Sequence, residues 1–461
     1  MTNIYERLAG IVGEGYVSNQ KEERYFYSRD PGLTTPHEPD YVVMPKTTEE
    51  IQKIVKLANK EKIPIVPKGG GLALTGLVVP QRGGIVIDTK RMGKILEVNE
   101  KARYVIVEAG TTHGVLKSYL EKRYPHLRHS IPDSPPIATI VGNAVIHGQG
   151  RLAQQYGFNS DLVSGLEVVL PTGEICRIGS CSVSPYWFSK GAPLPDLTGL
   201  FLGWFGTTGI ITKLALRLYP CKKMRDVMLF LIDSGELVPD IVLKLSDTEM
   251  VEDIVVNFQP LPLMLRENYN MLIYITGDSD EELEFKRKML WDTLWEYFDN
   301  RDGGFMSLPP IMKPPYLAMP SKDTTRFADV KKGGGFEYSG PIIPIEKYPV
   351  FVTKTVELAS KYNLSYSTVG RVIAGGHCMM FAFAFTFNRA DPDEMDRVKK
   401  ALHEAAEFSI EQGGIMWKPN VDEQKMIVER MDPNTLKIMK KIKQLLDPNG
   451  IMNPGNWDIS A

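Results

Sequence analysis

The sequence predicts an α+β protein built from two units, and three observations support this prediction. From Tyr41 onward, short β-rich runs alternate with amphipathic helical segments. Turn-forming residues divide these runs. After Pro220 the pattern changes to longer strands followed by a proline-rich stretch. We therefore expect a first unit at residues 1–222, a second unit at 223–412 and a C-terminal tail at 413–461.

The first unit opens with a brief strand at 40–45, after which Thr47 and Glu50 have the spacing of a helix capping box. The apolar residues from Ile51 to Ala58 then recur at the period of a helix that packs on a sheet. The β-rich runs that follow predict strands at 63–68, 85–89, 95–98, 104–110 and 209–219. The pattern also predicts a helix at 111–120 and a hairpin at 162–179.

The second unit begins with β-rich runs at 227–233, 253–258 and 271–277, and a helix is predicted at 281–297. Residues 300–349 hold eight prolines and a glycine triplet, which favours a lid, a binding loop or an oligomer contact. The later periodic segments predict helices at 350–361, 393–412 and 434–446, with a strand buried on both faces at 378–387.

Composition excludes several classes of protein. Among 461 residues, 54 Lys and Arg balance 56 Asp and Glu, so a nucleic-acid partner is not expected. The four cysteines are scattered and form no CxxC motif, so we expect no iron–sulfur or zinc site. The charged N-terminus does not resemble a signal peptide, and no apolar run is long enough to span a membrane. We expect a cytoplasmic protein.

Several glycine-rich segments are the first candidates for a binding site. The sequence PKGGGLALTG at 67–76 follows a strand directly, and glycines there let backbone N–H groups approach a phosphate. It matches neither the P-loop nor the dinucleotide fingerprint, and by itself an ordinary tight turn is the alternative. Further glycine clusters at 134–143, 147–150 and 203–209 favour loops that converge on one long, polyanionic cofactor.

Residues 40–220 resemble the FAD-binding domain of the vanillyl-alcohol oxidase and p-cresol methylhydroxylase superfamily. The segments that carry the resemblance, in the family's order, are 39–71, 138–150, 156–174 and 196–220. The resemblance implies a two-part FAD-binding domain, a tail that returns to it and an α+β cap over the isoalloxazine ring. It also implies that FAD contacts Pro67, Lys68, Gly69, Gly70, Gly71, Leu72, Ala73, Leu74, Thr75, Pro132, Asp133, Ser134, Thr139, Gly142, Asn143, His147, Gly206, Gly209, Ile210 and Ile211.

The sequence departs from this family at positions that bear on chemistry. Relatives with a doubly tethered flavin carry a histidine after the glycine triplet, whereas Leu72 stands there and excludes a tether at that point. Relatives that oxidise aryl alcohols hold the phenolate with a Tyr-Arg pair in the tail, and the matching place here offers Trp417 and Lys418. The tail and strand motifs of relatives that oxidise D-2-hydroxy acids are missing.

Four residues are candidates for the reaction itself. His377 has three possible roles: a base that removes a hydroxyl proton, a flavin tether or a structural histidine. Arg371 could pair with a carboxylate or phenolate, or lie at the surface. Lys418 could hold an anionic substrate, and Trp417 could stack on a ring or belong to the core. Tyr316, Arg326 and Tyr338 are weaker candidates for the cavity lining.

The expected function is FAD-dependent oxidation of a hydroxyl- or alkyl-bearing carbon by hydride transfer to flavin N5. An aryl alcohol or para-alkylphenol is favoured over a D-2-hydroxy acid such as lactate or glycolate. A flavin-carrying electron-transfer or scaffold subunit is the alternative that involves no catalysis. The expected partners are a small-molecule substrate, a redox protein (iron–sulfur, cytochrome or electron-transferring flavoprotein) and a second copy of the chain.

Overall fold

The computed structural model describes residues 3–258, 269–297, 304–306, 308, 310–318 and 333–459. The described helices of the first half are α1 (Ile4–Val12), α2 (Lys21–Tyr27), α3 (Thr48–Glu61), α4 (His113–Arg123), α5 (Ile140–Val145) and α6 (Ala153–Tyr156). Its strands are β1 (Val17–Ser18), β2 (Tyr41–Val43), β3 (Ile65–Lys68), β4 (Ile85–Asp88), β5 (Ile95–Asn99), β6 (Tyr104–Glu108), β7 (Leu127–Arg128), β8 (Val163–Val169), β9 (Ile175–Gly179), β10 (Ile210–Arg217) and β11 (Tyr219–Pro220).

Two main sheets organise this half. The first has the strand order β1-β2-β4-β3, in which β2, β4 and β3 run parallel. The second is antiparallel with the order β5-β6-β10-β8-β9, and β11 pairs separately with β7. Its neighbouring strands β8 and β9 confirm the hairpin that the sequence predicts at 162–179.

The second half is built on one large sheet. Its described helices are α7 (Val238–Asp247), α8 (Asp280–Leu294), α9 (Pro314–Leu317), α10 (Tyr348–Tyr362), α11 (Pro392–Glu411), α12 (Val421–Arg430) and α13 (Pro433–Leu446). Its strands are β12 (Met224–Ile232), β13 (Val251–Phe258), β14 (Tyr269–Gly277), β15 (Gly304–Met306), β16 (Gly334–Ser339), β17 (Pro341–Ile343), β18 (Ser365–Ile373), β19 (Cys378–Asn388) and β20 (Ile415–Met416). They run in the order β15-β12-β14-β13-β18-β19-β17-β20, and β16 also pairs with β19.

Strand β19 explains how the large sheet is covered on both sides. On one face, Phe381, Phe383 and Phe385 are fully buried in a core shared with α7, α8, α10 and α11. On the other face, Met380 and Ala382 are buried in a cluster to which the first half of the chain contributes Phe158. The prediction of a strand buried on both faces is therefore confirmed.

Local sequence signals explain where the helices begin. The Thr47 side chain accepts a hydrogen bond from Glu50 N at 3.2 Å, as the capping-box spacing predicts. Glu50 accepts from Lys46 N at 2.6 Å instead of from Thr47 N, so the reciprocal bond starts one residue earlier. The helix predicted at 111–120 instead starts at His113, because Thr112 caps it by accepting from Val115 N.

The prediction of a loop at one glycine cluster is wrong. Gly142 and Asn143 were expected in a loop, but they lie within helix α5, because the Thr139 hydroxyl accepts from Gly142 N and starts a helical turn. The domain division stays a prediction, and β20, just beyond the expected boundary at 412, pairs with β17 of the large sheet. None of the described helices is long and apolar enough to cross a membrane.

The C-terminal tail packs on the first half of the chain. Met452 forms a parallel bridge with Ile65, and Asn453 N donates to the carbonyl of Ile65 at 2.7 Å. The Asn453 amide donates to the carbonyls of Leu77 and Phe205 at 3.0 and 2.6 Å. These bonds place the tail against the segments that follow β3 and precede β10.

Candidate active site

A cavity lies where the ends of β3, β6 and β10 approach helix α5. The predicted cofactor residues that line it are Pro67, Lys68, Gly69, Gly142, Gly206, Gly209, Ile210 and Ile211. Sequence reasoning missed the rest of the lining because apolar and small residues there look like ordinary core. They are Leu77, Val78, Thr89, Ala109, Val145, Ile146, Phe201 and Phe205, while Val141, which also lines the cavity, lies between the predicted contacts Thr139 and Gly142.

The glycines of this cavity leave room only for backbone. A Cβ added to Gly206, whose φ is +76°, would lie 2.5 Å from Pro67 Cγ. A Cβ on Gly69 would lie 2.3 Å from the Thr139 hydroxyl that caps α5. Close packing of bare backbone around a cavity is the arrangement that lets N–H groups reach a dinucleotide, so these residues fit FAD.

Lys68 adds positive charge to the cavity wall. Its ammonium lies 4.6 Å from the centre of the Tyr27 ring, and the residue is 8% exposed. Burial lowers the pKa of Lys68, while the carboxylates of Asp88 and Asp30 act in the opposite direction. A buried cation beside a glycine-rich loop is suited to a pyrophosphate.

The glycine-rich loop continues beyond the cavity. Residues 70–75, which include the predicted contacts Gly70 to Thr75, are partly exposed beside it. Gly71 and Leu74 have positive φ angles of +64° and +71°. A positive φ is unusual for leucine, so neighbouring contacts must hold the loop in this shape.

Two further predicted cofactor residues, Asn143 and His147, hydrogen-bond to the segment that follows α6. The side-chain oxygen Oδ1 of Asn143 accepts from the Asn159 side-chain amide at 2.5 Å, and His147 Nδ1 lies 2.8 Å from the Ser160 hydroxyl. Burial lowers the pKa of His147, against the opposing charge of Asp161. Asp133, in the predicted contact segment 132–134, instead pairs with arginines from both halves of the chain.

Two arginines, one from each half of the chain, converge on Asp133. Arg371 of β18 lies 2.5 Å from one carboxylate oxygen of Asp133, and Arg151 lies 2.7 Å from the other. Asp253 of β13 is fully buried, 3.3 Å from Arg371 and 3.6 Å from Arg151. We call these residues, Asp133, Arg151, Asp253 and Arg371, the ion cluster.

The ion cluster is buried except at Asp133. The side chain of Asp133 is 35% exposed, whereas those of both arginines are 6% exposed. Burial raises the pKa of Asp253, and the charges of Arg371 and Arg151 oppose the rise. Sequence reasoning identified Arg371 and Asp133 but missed Arg151 and Asp253. Asp253 is more than 100 residues from both arginines and Arg151 is 18 residues from Asp133, and neither separation leaves a local pattern.

Aromatic side chains lie on the same face of the large sheet. Partly buried Phe158, Tyr338 and Trp417 pack against Ile373, Met380 and Ala382. The Trp417 indole donates to the carbonyl of His147 at 2.7 Å, which fixes this group against the predicted FAD segment. We call Phe158, Tyr338 and Trp417 the aromatic group.

Lys418 lies beside the aromatic group but is already engaged. Its ammonium is 4.7 Å from the centre of the Tyr338 ring and 5.1 Å from that of Trp417. It donates to the carbonyl of Ala73, in the glycine-rich loop, at 2.5 Å. The structure therefore brings Lys418, Trp417 and the predicted FAD loop together.

His377 lies apart from these groups. It is exposed in the turn between β18 and β19, and its backbone N–H donates to the carbonyls of Ile373 and Ala374. That place offers no shielding from water, so we do not include His377 in the proposed reaction, and its predicted role stays untested. Tyr316 packs near Leu229 and Tyr274, whereas Arg326 lies outside the described residues.

Two family models match the chain in order. The model of an FAD binding domain matches residues 39–179, and the model of the C-terminal domain of FAD linked oxidases matches residues 342–457. The part of the chain that the structure describes contains no group of three or more His, Cys, Asp and Glu side chains that could hold a metal ion.

Curated relatives and solved structures are similar over almost the whole chain. Glycolate oxidase subunit GlcD of Bacillus subtilis is 26% identical, with 98% of this chain and 96% of the relative covered. A probable mitochondrial D-lactate dehydrogenase of Danio rerio is 27% identical, with 98% and 91% covered. A crystal structure of p-cresol methylhydroxylase with substrate bound superposes with a TM-score of 0.84 at 20% identity, covering 98% of this chain and 96% of that chain.

The glycine-lined cavity, the fold and these matches define an FAD-dependent oxidoreductase. The chain belongs to the vanillyl-alcohol oxidase and p-cresol methylhydroxylase superfamily of FAD-linked oxidoreductases. The resemblance that the sequence motifs carry is thus confirmed for family, fold and cofactor.

Proposed function

We propose that the enzyme oxidises a hydroxyl- or alkyl-bearing carbon attached to an aromatic ring, as in an aryl alcohol or a para-alkylphenol. The observation that carries this proposal is the aromatic group, which is only partly buried and lies against the segment that holds His147. Flat, partly exposed rings beside apolar Met380 and Ala382 suit stacking on a substrate ring.

The chain's own residues would bind and orient such a substrate. Bound FAD supplies the acceptor for the hydride that leaves the substrate carbon. Trp417 is fixed through its indole N–H, so its ring can hold a substrate ring in one orientation. We assign to the Tyr338 hydroxyl, in the aromatic group, a hydrogen bond to the substrate oxygen.

An oxidation of a D-2-hydroxy acid is the second candidate. The curated relatives named as a glycolate oxidase subunit and a D-lactate dehydrogenase favour it. Arginine guanidinium groups pair well with carboxylates, and Arg371 and Arg151 face a partly exposed carboxylate in the ion cluster. We rank it second because both guanidinium groups already have Asp133 and Asp253 as partners.

A redox partner protein also belongs to the proposal. One relative is named as a subunit, which supports a chain that works inside a larger complex. Under this proposal an iron–sulfur protein, a cytochrome or an electron-transferring flavoprotein reoxidises the flavin. Three further statements stay predictions: a role limited to carrying electrons, location in the cytoplasm and self-association. Gel filtration tests self-association.

Anaerobic bleaching of the flavin absorbance tests the substrate class. We expect para-alkylphenols or benzylic alcohols to bleach the spectrum, and Tyr338→Phe to slow bleaching by about 10- to 100-fold because it removes one hydrogen bond to the reacting group. D-lactate and glycolate are the competing substrates, and L-lactate is the matched control. Bleaching by D-lactate alone would transfer the proposal to the second candidate, and no bleaching by any of them would favour the electron-transfer subunit.

A further inference from the structure

The glycine-rich loop is held by side chains from two distant parts of the chain. Lys418 of the tail donates to the carbonyl of Ala73 at 2.5 Å. Asp30, between α2 and β2, accepts from Gly76 N at 2.8 Å and from Gly32 N at 2.9 Å. Both side chains are buried, with Lys418 7% exposed and Asp30 8% exposed. The loop is therefore fixed at two points, one on each side of Leu74.

The conformation between these two points needs external support. Leu74 and Gly76 have positive φ angles of +71° and +73°. A non-glycine residue in the left-handed region is strained, so this conformation persists only where the surroundings enforce it. Gly32 packs so closely that a Cβ there would lie 1.7 Å from the carbonyl oxygen of Leu74. The Asp30 segment and Lys418 supply that enforcement.

The large sheet joins the same arrangement through β16. The Glu337 carboxyl accepts from Leu33 N at 2.8 Å, and Glu337 is 4% exposed. The charge of Lys418 acts on the carboxyl groups of both Asp30 and Glu337, which places one buried cation among acids from two other chain segments. A buried lysine in such a place is suited to fixing backbone, because water does not reach its ammonium group and the ammonium must hydrogen-bond to protein acceptors.

We propose that Lys418 is a positioning residue for FAD: together with Asp30 it holds the glycine-rich loop in the shape that receives the cofactor. This role differs from the substrate contact that the sequence predicts for Lys418. It rests on the confirmed cofactor and not on the proposed substrate class, so the two can fail separately. Because Lys418 donates to the carbonyl of Ala73, it acts on FAD indirectly, through the glycine-rich loop.

Cofactor affinity tests the proposal directly. Lys418→Met should raise the FAD dissociation constant of the apoprotein at least 10-fold, measured by quenching of FAD fluorescence. At saturating FAD, the KM for whichever substrate bleaches the flavin should stay within about twofold of the original value. Lys418→Arg, which keeps a long donor, should restore most of the affinity. Amide hydrogen exchange across residues 69–76 should accelerate in Lys418→Met at saturating FAD.

The matched control is Lys354→Met. Lys354 is also a largely buried lysine, bonded to Glu357 at 2.8 Å and Glu404 at 3.0 Å on the far side of the large sheet. The Lys354→Met substitution should leave FAD affinity unchanged. If Lys418→Met does not fold, Asp30→Asn enters the same assay and should weaken FAD binding, because it removes the charge that faces Lys418. An unchanged FAD dissociation constant in the folded variant would overturn the proposal, whether or not KM rises.

Discussion

The ion cluster between the two halves makes a quantitative prediction for Arg371→Met. By the register of β18, Arg371 stands between Val255 of β13 and Met380 of β19, so a methionine fits among these apolar neighbours. The substitution removes one guanidinium and leaves Asp253, which is fully buried, with Arg151 at 3.6 Å. The loss of stability therefore measures what a buried carboxylate costs when it loses one of its two arginine partners.

Removal of one partner of a buried ion pair destabilises a protein by roughly 3–5 kcal/mol. We expect about 3 kcal/mol, at the lower end. Arg151 still faces Asp253, and burial raises the pKa of Asp253, so a proton can neutralise part of the stranded charge. Asp133 adds little to the loss because it is 35% exposed and keeps Arg151 at 2.7 Å.

The double variant Asp253→Asn/Arg371→Met removes the stranded charge as well. It should cost only about 1 kcal/mol, which is about 2 kcal/mol less than Arg371→Met alone. Urea unfolding at one fixed FAD concentration, followed by tryptophan fluorescence, measures both values. The control Lys400→Met breaks an exposed pair with Asp396 at 2.7 Å and should cost less than about 1 kcal/mol. A double variant as unstable as the single one would refute the reasoning.

Three further predictions follow from individual sites. Gly206→Ala should weaken FAD binding at least 10-fold, because its Cβ would meet Pro67. Gly199→Ala is the control and should leave FAD binding unchanged, because the space at its Cβ is open. FAD titration of both apoproteins measures the two affinities. Burial raises the pKa of Glu337 from 4.5 to about 8, so the folded state holds a proton that the unfolded chain releases. Stability should fall by up to about 1.4 kcal/mol per pH unit between pH 4.5 and 8 and level off above, and Glu337→Gln should remove that component from urea curves taken across this range. Trp417→Phe should lower substrate affinity yet keep FAD affinity, and a loss of thermal stability without a change in KM would indicate a core role.

Local patterns predicted most of the elements. The period of Ile51 to Ala58 specified helix α3, and the long apolar run specified β19, because helices and strands bury residues at fixed intervals. The glycine segments also indicated a dinucleotide cavity, and several of them line it. The prediction of a loop at Gly142 was wrong because the Thr139 hydroxyl caps a helix there, which overrides the turn preference of a Gly-Asn pair.

The sequence by itself determined the family, the FAD cofactor and the α+β class, since these depend on residue types in a fixed order. Only the tertiary structure decided how charges pair. Asp133, Arg151, Asp253 and Arg371 come from four segments, and their ion cluster exists only because the loop before α5, the turn before α6, β13 and β18 meet. In the same way, the bond from Lys418 to Ala73 joins residues 345 apart in sequence, and no local spacing could specify it.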